Sequence, residues 1–314
     1  MKRGYLLVPM VTLVLASPLI HSFFAPNFFD KPKQQQHDFR IATWNVALLH
    51  FFQQSGSYDP KMIEQARGFN ADVLLLQEFV FSEDKNAFSA LEKIKRKLGY
   101  RYAVTASDAS FGVRTMNNTG KGDFFPFCIA LFSKYPIVRW KKVQSADRYN
   151  YTFLWADVKV KTDTIRIINV HLQSMYFVKR DYEFIEHLHQ KNLDEMKLGG
   201  GVILRKMRNA YIQRGVQAKR VAALVAESPY PVLLAGDFND VPNSFTHQLL
   251  TNSLQDAFTQ SGEGVGRTFI HLAPTLRIDH VLHSNAFLPI RSYVVKSALS
   301  DHLPVIADFS FQAK

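Results

Sequence analysis

The chain has 314 residues, and 38 Lys and Arg residues against 27 Asp and Glu residues give it a formal charge of +11 at pH 7. Apolar residues make up 47% of it, which excludes a disordered protein because such a chain buries enough apolar surface to offset the entropy of ordering. The single cysteine, Cys128, excludes an intramolecular disulfide and a zinc site built on several thiolates. The positive charge indicates polyanionic ligands, either nucleic acid, an anionic membrane or phosphate esters, without choosing among them.

The N-terminal segment is predicted to direct the chain to a membrane. Lys2 and Arg3 precede a mostly apolar run over 5–24, an order typical of an export signal or a membrane anchor. A run of about 20 residues is long enough to span a bilayer as a helix. Both interpretations predict an exported protein, either anchored in the membrane of the cell envelope or secreted or periplasmic. We therefore divide the chain into a signal peptide or anchor over 1–25, a polar linker over 26–37 and one domain over 38–314.

Short apolar runs then alternate with amphipathic stretches. Length and β-branched or aromatic content predict strands over 39–46, 73–77, 102–105, 128–133, 153–160, 165–171, 232–236, 278–283 and 305–311. Helical spacing of apolar residues predicts helices over 60–69, 85–98, 205–227 and 245–252. This mixed order predicts the α/β class, as a four-layer α/β/β/α sandwich with two mostly antiparallel mixed sheets inside helical layers. Asp163 and Thr164 are predicted to form a hairpin turn.

The segment 176–220 is the most basic part of the domain. It is predicted either to border a phosphate-rich ligand or to be the solvated face of a long helix. Three consecutive glycines, Gly199 to Gly201, indicate a hinge or loop tip inside it. In the helical interpretation the residues facing the core are Ile203, Met207, Ala210, Tyr211, Val221 and Leu224.

Polar residues follow the ends of several predicted strands. Strand ends at one edge of a sheet converge on one crevice, where ligands of α/β sheets usually bind. Oxygen ligands with a substrate phosphate are the environment that Mg²⁺ prefers, and imidazoles beside it suit a developing negative charge. The sequence therefore predicts a site for a hard divalent cation. The residues that supply it are Asn45, Glu78, His171, Asp237, Asn239, Asp279, Asp301 and His302.

The order of these motifs carries more information than any one of them. They are Thr43-Trp44-Asn45, Leu76-Gln77-Glu78, 129–137, Asn169-Val170-His171-Leu172, Gly236-Asp237-Phe238-Asn239-Asp240, Arg277-Ile278-Asp279-His280-Val281 and Ser300-Asp301-His302-Leu303-Pro304-Val305. In this order, from Ile41 to about Phe309, the chain resembles the endonuclease/exonuclease/phosphatase superfamily, which includes deoxyribonuclease I and exonuclease III. With its leader it resembles an exported or membrane-anchored bacterial branch.

The resemblance implies a role for each residue. The implied metal ligands are Glu78, Asn45 and, through water, Asp301, with Mg²⁺ as the ion and Mn²⁺ as the alternative. The implied catalytic residues are Asp237, Asn239, His171, His302 and Asp279. Asp237 resembles the group that orients the attacking water, and Asp279 the carboxylate that holds His302. Whether Asp237 or His302 removes the proton of the water stays open. The implied reaction is in-line attack of water on a phosphate ester.

Three functions compete at this stage. A nuclease acting on DNA or RNA is favoured by the net charge and the basic segment 176–220. A lipid or small-molecule phosphodiesterase or phosphomonoesterase at the membrane surface, sphingomyelinase-like, is favoured by the leader and by Tyr176 and Phe177. A binding protein without catalysis is the remote third. The expected partners are a phosphate-ester substrate, nucleic acid first, and a membrane through the N-terminal segment, and the expected state is a monomer.

The other histidines are predicted to lie outside the site. Alternation along a strand points His280 away from the face that carries Asp279, so a structural role is predicted for it. Surface or loop positions are predicted for His187, His189, His247, His271 and His283.

Overall fold

Two mixed sheets of six strands each lie face to face in a computed structural model of the chain. The structure describes residues 21–27, 37–47, 59–80, 90–116, 122–144, 152–188, 193–273 and 275–312. The strand order of sheet one is β13 (Phe287–Val294), β14 (Val305–Phe311), β2 (Phe39–Asn45), β3 (Val73–Val80), β5 (Gly122–Ser133), β4 (Tyr102–Met116). That of sheet two is β10 (Gln255–Asp256), β12 (Asp279–His283), β9 (Val232–Asp237), β8 (Asp163–His171), β7 (Thr152–Val160), β6 (Ile137–Gln144). A third, two-stranded sheet joins β1 (Ala25–Pro26) to β11 (Glu263–Gly264).

Each large sheet contains one parallel pair among antiparallel pairs. In sheet one β2 runs parallel to β3, and in sheet two β8 runs parallel to β9. The other described pairs of the two sheets are antiparallel. A parallel pair needs a crossover, and helices α1 (Pro60–Gly68) and α4 (Leu193–Ala226) lie in the two crossovers. The predicted α/β class with mostly antiparallel mixed sheets is confirmed.

Helices cover the outer face of each sheet. Helices α1 and α2 (Ala90–Leu98) pack on sheet one, where Met62 and Phe69 contact the cluster around Trp44. Helices α4 and α5 (Phe245–Thr251) pack on sheet two, where Val221 and Leu250 belong to one buried cluster. Between the sheets lies a third core. The result is the predicted α/β/β/α order of layers, to which the short helices α3 (Lys179–Glu186) and α6 (Ala257–Ser261) are added.

The N-terminal end of the described chain is held against the domain. Ala25 and Pro26 pair with Gly264 and Glu263, and Asn27 Nδ2 donates to the carbonyl oxygen of Gly262 at 2.8 Å. The predicted leader over 1–25 lies outside the described residues except for 21–25. Across the described part of the chain, no helix combines the length and the apolar character needed to cross a membrane.

Some sequence predictions about individual elements were wrong. The hairpin turn falls at Lys161 and Thr162 rather than at Asp163 and Thr164, because Asp163 already pairs with Val160. Lys161 has φ +54°, the left-handed conformation that a two-residue hairpin turn requires. Besides the two-residue strands β1, β10 and β11, two longer strands, β6 and β13, were missed. Both lie at the edge of their sheets, and the mostly exposed side chains of β6 carry no apolar alternation.

The three glycines lie inside α4 rather than in a loop. A Cβ on Gly199 would lie 2.2 Å from the ring of Phe184 in α3, so glycine at this position permits the two helices to approach. The core face predicted for the long helix holds for Ile203, Ala210, Val221 and Leu224, whereas Tyr211 is 43% exposed. Arg214, expected among the solvated charges, is completely buried instead.

Candidate active site

The site is the polar end of the space between the two sheets. Alternation places Ile41, Thr43 and Asn45 of β2 on the face toward the other sheet, while Trp44 belongs to the outer core. On sheet two the same alternation places His171, Asp237 and Asp279 on the inner face, which is apolar further along the strands. These three residues are register partners on adjacent strands, since Asp237 faces both His171 and Asp279. Apolar strands that end in polar residues therefore produce one polar pocket.

A backbone irregularity gives Glu78 its position in the pocket. The pairing of β3 with β5 shifts register between Leu76 and Phe79, and Glu78 adopts φ +49°. A bulge of this kind redirects a side chain that regular alternation would send elsewhere. Left-handed backbone at a residue other than glycine costs on the order of 1 kcal/mol and is concentrated at functional sites. Glu78 thereby points its carboxylate toward Asn45 and His171 while keeping 31% of its side chain exposed.

The turn after β9 is shaped by two further special residues. Gly236 has φ +143°, and a Cβ there would lie 2.0 Å from the carbonyl oxygen of Val170. Only glycine fits this close approach. Asn239 has φ +50°, its backbone N–H donates to Asp237 Oδ1 at 2.7 Å, and its Nδ2 donates to the carbonyl oxygen of Leu172 at 3.0 Å. The turn thus fixes the Asp237 carboxylate and ties it to the end of β8.

Asp237 Oδ2 lies at the centre of the pocket. It accepts hydrogen bonds from Asn45 Nδ2 at 3.0 Å and from Asn239 Nδ2 at 3.2 Å. It also lies 3.5 Å from His171 Nε2 and 3.7 Å from His302 Nε2. Residues from both sheets therefore meet at a single carboxylate oxygen of Asp237, whose side chain is 1% exposed.

Asp279 and His302 form an ion pair behind Asp237. Nδ1 of His302 donates to Asp279 Oδ2 at 2.9 Å. Burial opposes the imidazolium, but Asp279 and Asp237 outweigh it and raise the pKa of His302 to about 10. Burial raises the pKa of Asp279 to about 6, against the attraction of His302. At neutral pH Asp279 is therefore ionised and His302 is cationic, with its Nε2 turned toward Asp237.

Asp301 lies on the His302 side of the pocket. Ser300 Oγ donates to the carbonyl oxygen of Asn45 at 2.8 Å and to Asp301 Oδ1 at 3.4 Å. The charge of Asp301 contributes to the raised pKa of His302. All eight residues named from the sequence thus belong to one region, with Glu78, Asn45 and His171 at one side of Asp237 and Asp301 at the other.

Two residues that belong to the sequence motifs, but to which the sequence assigned no role, join the sheets beneath the pocket. The Gln77 side chain donates through Nε2 to Asn169 Oδ1 at 2.7 Å and to Thr43 Oγ1 at 3.0 Å. The Asn169 side chain donates in return to the carbonyl oxygens of Leu76 and Ala130. Buried amides satisfied on both sheets fix the spacing of the sheets and thereby the separation of Glu78 from Asp237.

A buried arginine, also missed, supports the two loops of sheet two. Arg214 of α4 donates through Nε to Asp240 Oδ2 at 3.1 Å and through Nη1 to the carbonyl oxygen of Gln173 at 2.9 Å. Asp240 follows Asn239, and Gln173 is two residues after His171. Nothing local in the sequence distinguishes Arg214 from its exposed neighbours, because its partners lie 26 and 41 residues away along the chain.

The donor set of the pocket fits a divalent cation. Glu78, Asp237, Asp279 and Asp301 bring four carboxylates, and the raised pKa of His302 gives that imidazole a compensating charge at neutral pH. Asn45 Nδ2 lies 3.3 Å from Glu78 Oε1 as well as 3.0 Å from Asp237 Oδ2. Hard oxygen ligands with an excess of negative charge are what Mg²⁺ requires.

A second buried cluster of similar composition lies on the outer face of sheet two. Asp256 Oδ2 lies 3.1 Å from His247 Nε2, 3.6 Å from His280 Nδ1 and 2.7 Å from Arg277 Nη1. Burial works against the carboxylate, but Arg277 and the two imidazoles hold the pKa of Asp256 well below its usual range. The guanidinium occupies the place a cation would take, so this cluster is structural. His247, in this cluster, and His283, at the end of β12, are both buried, contrary to the surface positions predicted for them.

The comparisons with known proteins agree with this geometry. The model of the endonuclease/exonuclease/phosphatase family matches residues 42–302. The uncharacterized protein YbhP of Escherichia coli strain K12 is 36% identical over 104 residues, which cover 30% of this chain and 40% of that protein.

Solved structures share the fold at low sequence identity. An endonuclease/exonuclease/phosphatase from Beutenbergia cavernae DSM 12333 has a TM-score of 0.64 at 19% identity, covering 88% of this chain and 72% of that one. The 3′ phosphatase NExo from Neisseria, bound to a product DNA hairpin, has a TM-score of 0.55 at 18% identity, covering 87% of this chain and all, 100%, of that one. The family match over most of the chain, on a pocket with these residues, shows that the chain belongs to the endonuclease/exonuclease/phosphatase family of phosphoesterases.

Proposed function

We propose that the chain hydrolyses phosphodiester bonds by in-line attack of a water molecule, with DNA or RNA as the substrate. The observation that carries the proposal is the arrangement around Asp237 Oδ2, where His171 Nε2 at 3.5 Å and His302 Nε2 at 3.7 Å flank one buried carboxylate oxygen. The carboxylate can accept the proton of the attacking water, and the two imidazoles beside it can stabilise the negative charge on the phosphoryl oxygens.

Each residue of the pocket has a part in this proposal. Asp237 orients the water and accepts its proton, because its other oxygen is already held by the backbone N–H of Asn239. His302, kept cationic by Asp279, supplies positive charge to the phosphoryl oxygens rather than acting as the base. His171 approaches the same oxygens from the side of Glu78. The Asn239 side chain contacts the phosphate.

Glu78 and Asn45, with Asp301 through water, are the residues proposed to hold a divalent cation, Mg²⁺ first and Mn²⁺ as the alternative. When bound, such an ion withdraws electron density from the phosphate and neutralises the charge that develops in the transition state. The excess of carboxylates in the pocket supports this assignment, and the exposed part of Glu78 gives the ion a route in.

The substrate class has two candidates. Nucleic acid is supported by the net charge of +11 and by the Neisseria neighbour with its bound DNA product. A membrane phospholipid is supported by an apolar rim beside the pocket. Ring contacts lead from His302 through Phe269 and His271 to Tyr182 and Phe177. The rim around these rings exposes aliphatic side chains, namely Val178 at 58%, Ile270 at 41% and Leu272 at 41%.

The experiment compares the two substrates under one set of conditions. The purified protein is incubated with a single-stranded DNA oligonucleotide or with phospholipid and sphingomyelin vesicles, in Mg²⁺ or in a chelator. Cleavage of the oligonucleotide that needs Mg²⁺ and is lost in Asp237→Asn supports the proposal. Hydrolysis of the lipids alone would replace nucleic acid by lipid, and no metal-dependent hydrolysis of either would contradict the proposed function.

A further inference from the structure

The solvent-facing side of α4 has an unusual composition. We name it the outer face of α4 and define it by Leu204, Arg205, Arg208, Ile212, Val216 and Lys219. With 3.6 residues per turn these six positions fall within an arc of about 120°. The opposite side is buried, with Ala210, Arg214 and Val221 as examples. The outer face is therefore one continuous surface along the helix.

Large apolar side chains are exposed on this face beside the charged ones. Leu204 is 66% exposed, Ile212 49% and Val216 48%. Phe245, 61% exposed at the start of α5, extends the face, because its ring lies 3.4 Å from the position of a Cβ on Gly215. Contiguous apolar groups on a soluble surface mark an interaction site more often than isolated ones do.

The charges on the same face have a single sign. Residues 197–226 contain seven Lys and Arg residues and no Asp or Glu. Two of the seven form ion pairs within the domain. Lys206 Nζ lies 2.5 Å from Asp181 Oδ2, and Arg214 Nε lies 3.1 Å from Asp240 Oδ2. Arg205, Arg208 and Lys219 remain exposed between the apolar residues. Interleaved basic and apolar side chains on an exposed helix face are typical of helices that lie in the interface of an anionic bilayer.

The apolar groups distinguish this partner from nucleic acid. A nucleic-acid surface gains affinity from cations and from flat rings that stack on bases. The aliphatic side chains of Leu204, Ile212 and Val216 provide neither. Tyr211, the aromatic residue nearest to them along α4, has one face of its ring covered by the Arg214 guanidinium, 4.6 Å from the ring centroid.

Ser22, in the described residues 21–27, lies on the same side of the molecule. The carbonyl oxygen of Ser22 accepts from Arg277 Nη2 at 2.5 Å, and the Ser22 hydroxyl accepts from Asn243 Nδ2. Asn243 is two residues from Phe245. Ser22, near the end of the apolar run over 5–24 that the sequence predicts to enter a membrane, thus lies against the domain at Asn243, two residues along the chain from Phe245.

We propose that the outer face of α4, together with Phe245, rests on the surface of an anionic lipid bilayer. The aliphatic side chains and the Phe245 ring enter the boundary between head groups and acyl chains, and Arg205, Arg208 and Lys219 contact the anionic head groups. This contact is separate from the leader and from catalysis, so it does not depend on the proposed phosphodiesterase activity.

The test places a probe on the face itself, because the leader alone could bind vesicles. The full chain carries an environment-sensitive fluorophore on Leu204→Cys, or on Leu288→Cys as the matched control. Leu288 is 49% exposed on β13 of sheet one, and Cys128 is buried and stays unlabelled. Each protein is mixed with vesicles of phosphatidylcholine and phosphatidylglycerol that carry brominated acyl chains.

We expect a blue shift and quenching at position 204 and no change at position 288. Replacing Arg205, Arg208 and Lys219 with Gln should abolish the response at position 204 while the circular dichroism spectrum stays unchanged. The proposal would be overturned if both positions respond alike, if neither responds, or if position 204 responds to a DNA oligonucleotide or to protein concentration and not to vesicles.

Discussion

The active-site pocket and the Asp256 cluster are two buried polar groups of similar composition with opposite electrostatics. In each of them three ligand atoms lie within 4.8 Å of one another, from His247, Asp256 and His280 in the cluster and from Asp237, Asp279 and His302 in the pocket. In the Asp256 cluster one carboxylate meets the Arg277 guanidinium at 2.7 Å, and both side chains are almost fully buried. In the pocket the carboxylates of Asp237, Asp279 and Asp301 raise the pKa of the cationic His302, and Glu78, a fourth carboxylate, remains partly exposed beside His171. Charge balance and access, rather than residue type, separate a binding site from a structural cluster.

The largest effect is expected from Asp237→Asn in the pocket. The variant removes the proposed base but keeps an oxygen to accept from the Asn239 N–H, so phosphodiester hydrolysis should fall by about 10³-fold with little change in melting temperature. Initial rates and thermal unfolding curves of the same preparations check this. Equal rates for the variant and the parent protein would exclude Asp237 as the base.

The matched substitution in the other cluster, Asp256→Asn, should affect stability instead. It leaves Arg277 buried without its counter-charge and weakens the cap of α6, where Asp256 Oδ1 accepts from the N–H of Phe258. Removing one partner of a buried ion pair costs about 3–5 kcal/mol in the free energy of unfolding. Urea unfolding measures the loss, and the activity of the folded fraction should stay within about twofold of the parent. A stable but inactive variant would contradict the distinction between the clusters.

His280, in the Asp256 cluster, is expected to make stability depend on pH. Burial lowers the pKa of His280 to about 4, while its Nε2 donates to the carbonyl oxygen of Asp240 and its Nδ1 faces Asp256, with His247 and Arg277 close by. The unfolded chain takes up this proton near pH 6.5 and the folded chain only near pH 4, so His280 lowers stability as pH falls between these values, by about 3 kcal/mol.

The contribution of His280 is isolated by difference, because Asp279 and other groups titrate in the same range. Free energies of unfolding at pH 7 and pH 4.5 are measured for the parent and for His280→Gln. The parent should lose more stability between the two pH values than the variant does. Identical losses would show that His280 titrates normally in the folded protein.

A smaller effect is expected where α4 supports the pocket. Arg214→Met keeps the volume of the side chain but releases Asp240 and the carbonyl oxygen of Gln173, so the loops that carry Asn239 and His171 lose their fixed spacing. We expect kcat to fall about 10- to 100-fold. Arg214→Lys should restore part of it, and Arg208→Met, on the exposed side of the same helix, should leave hydrolysis of a soluble substrate unchanged. A loss confined to KM would contradict the positioning role.

The sequence revealed the residues of the pocket better than it revealed some of the surrounding elements. Asn45, Asp237 and Asp279 were identifiable because each lies at one end of an apolar strand, Asn45 and Asp237 as the last residues of β2 and β9 and Asp279 as the first residue of β12. The edge strand β6 was missed because its mostly exposed side chains lack that pattern. The edge strand β13 was missed because Pro289 interrupts its run, and its pairing with β14 shifts register between Pro289 and Arg291. Gly199 was wrongly assigned to a loop because glycine has a low helix propensity. Its place inside α4 depends on a tertiary contact, the close approach of the Phe184 ring, which the sequence does not reveal.

Long-range partners account for the remaining errors. His247 was expected at the surface, yet Asp256, nine residues later, holds it in the interior. The roles of Gln77 and Arg214 depend on partners more than 25 residues away, in Asn169 and Asp240. Strand ends reveal which polar residues enter a pocket, whereas the groups that fix those residues in place are visible only in the folded chain.

The most direct test is a crystal grown with Mn²⁺ and measured at the manganese absorption edge. We expect an anomalous peak beside the Glu78 carboxylate and the Asn45 side chain, and no such peak in Glu78→Gln. A peak at His247, Asp256 and His280, or none in the pocket at saturating Mn²⁺, would contradict the claim that unbalanced carboxylates between the two sheets form the metal site of a phosphoesterase.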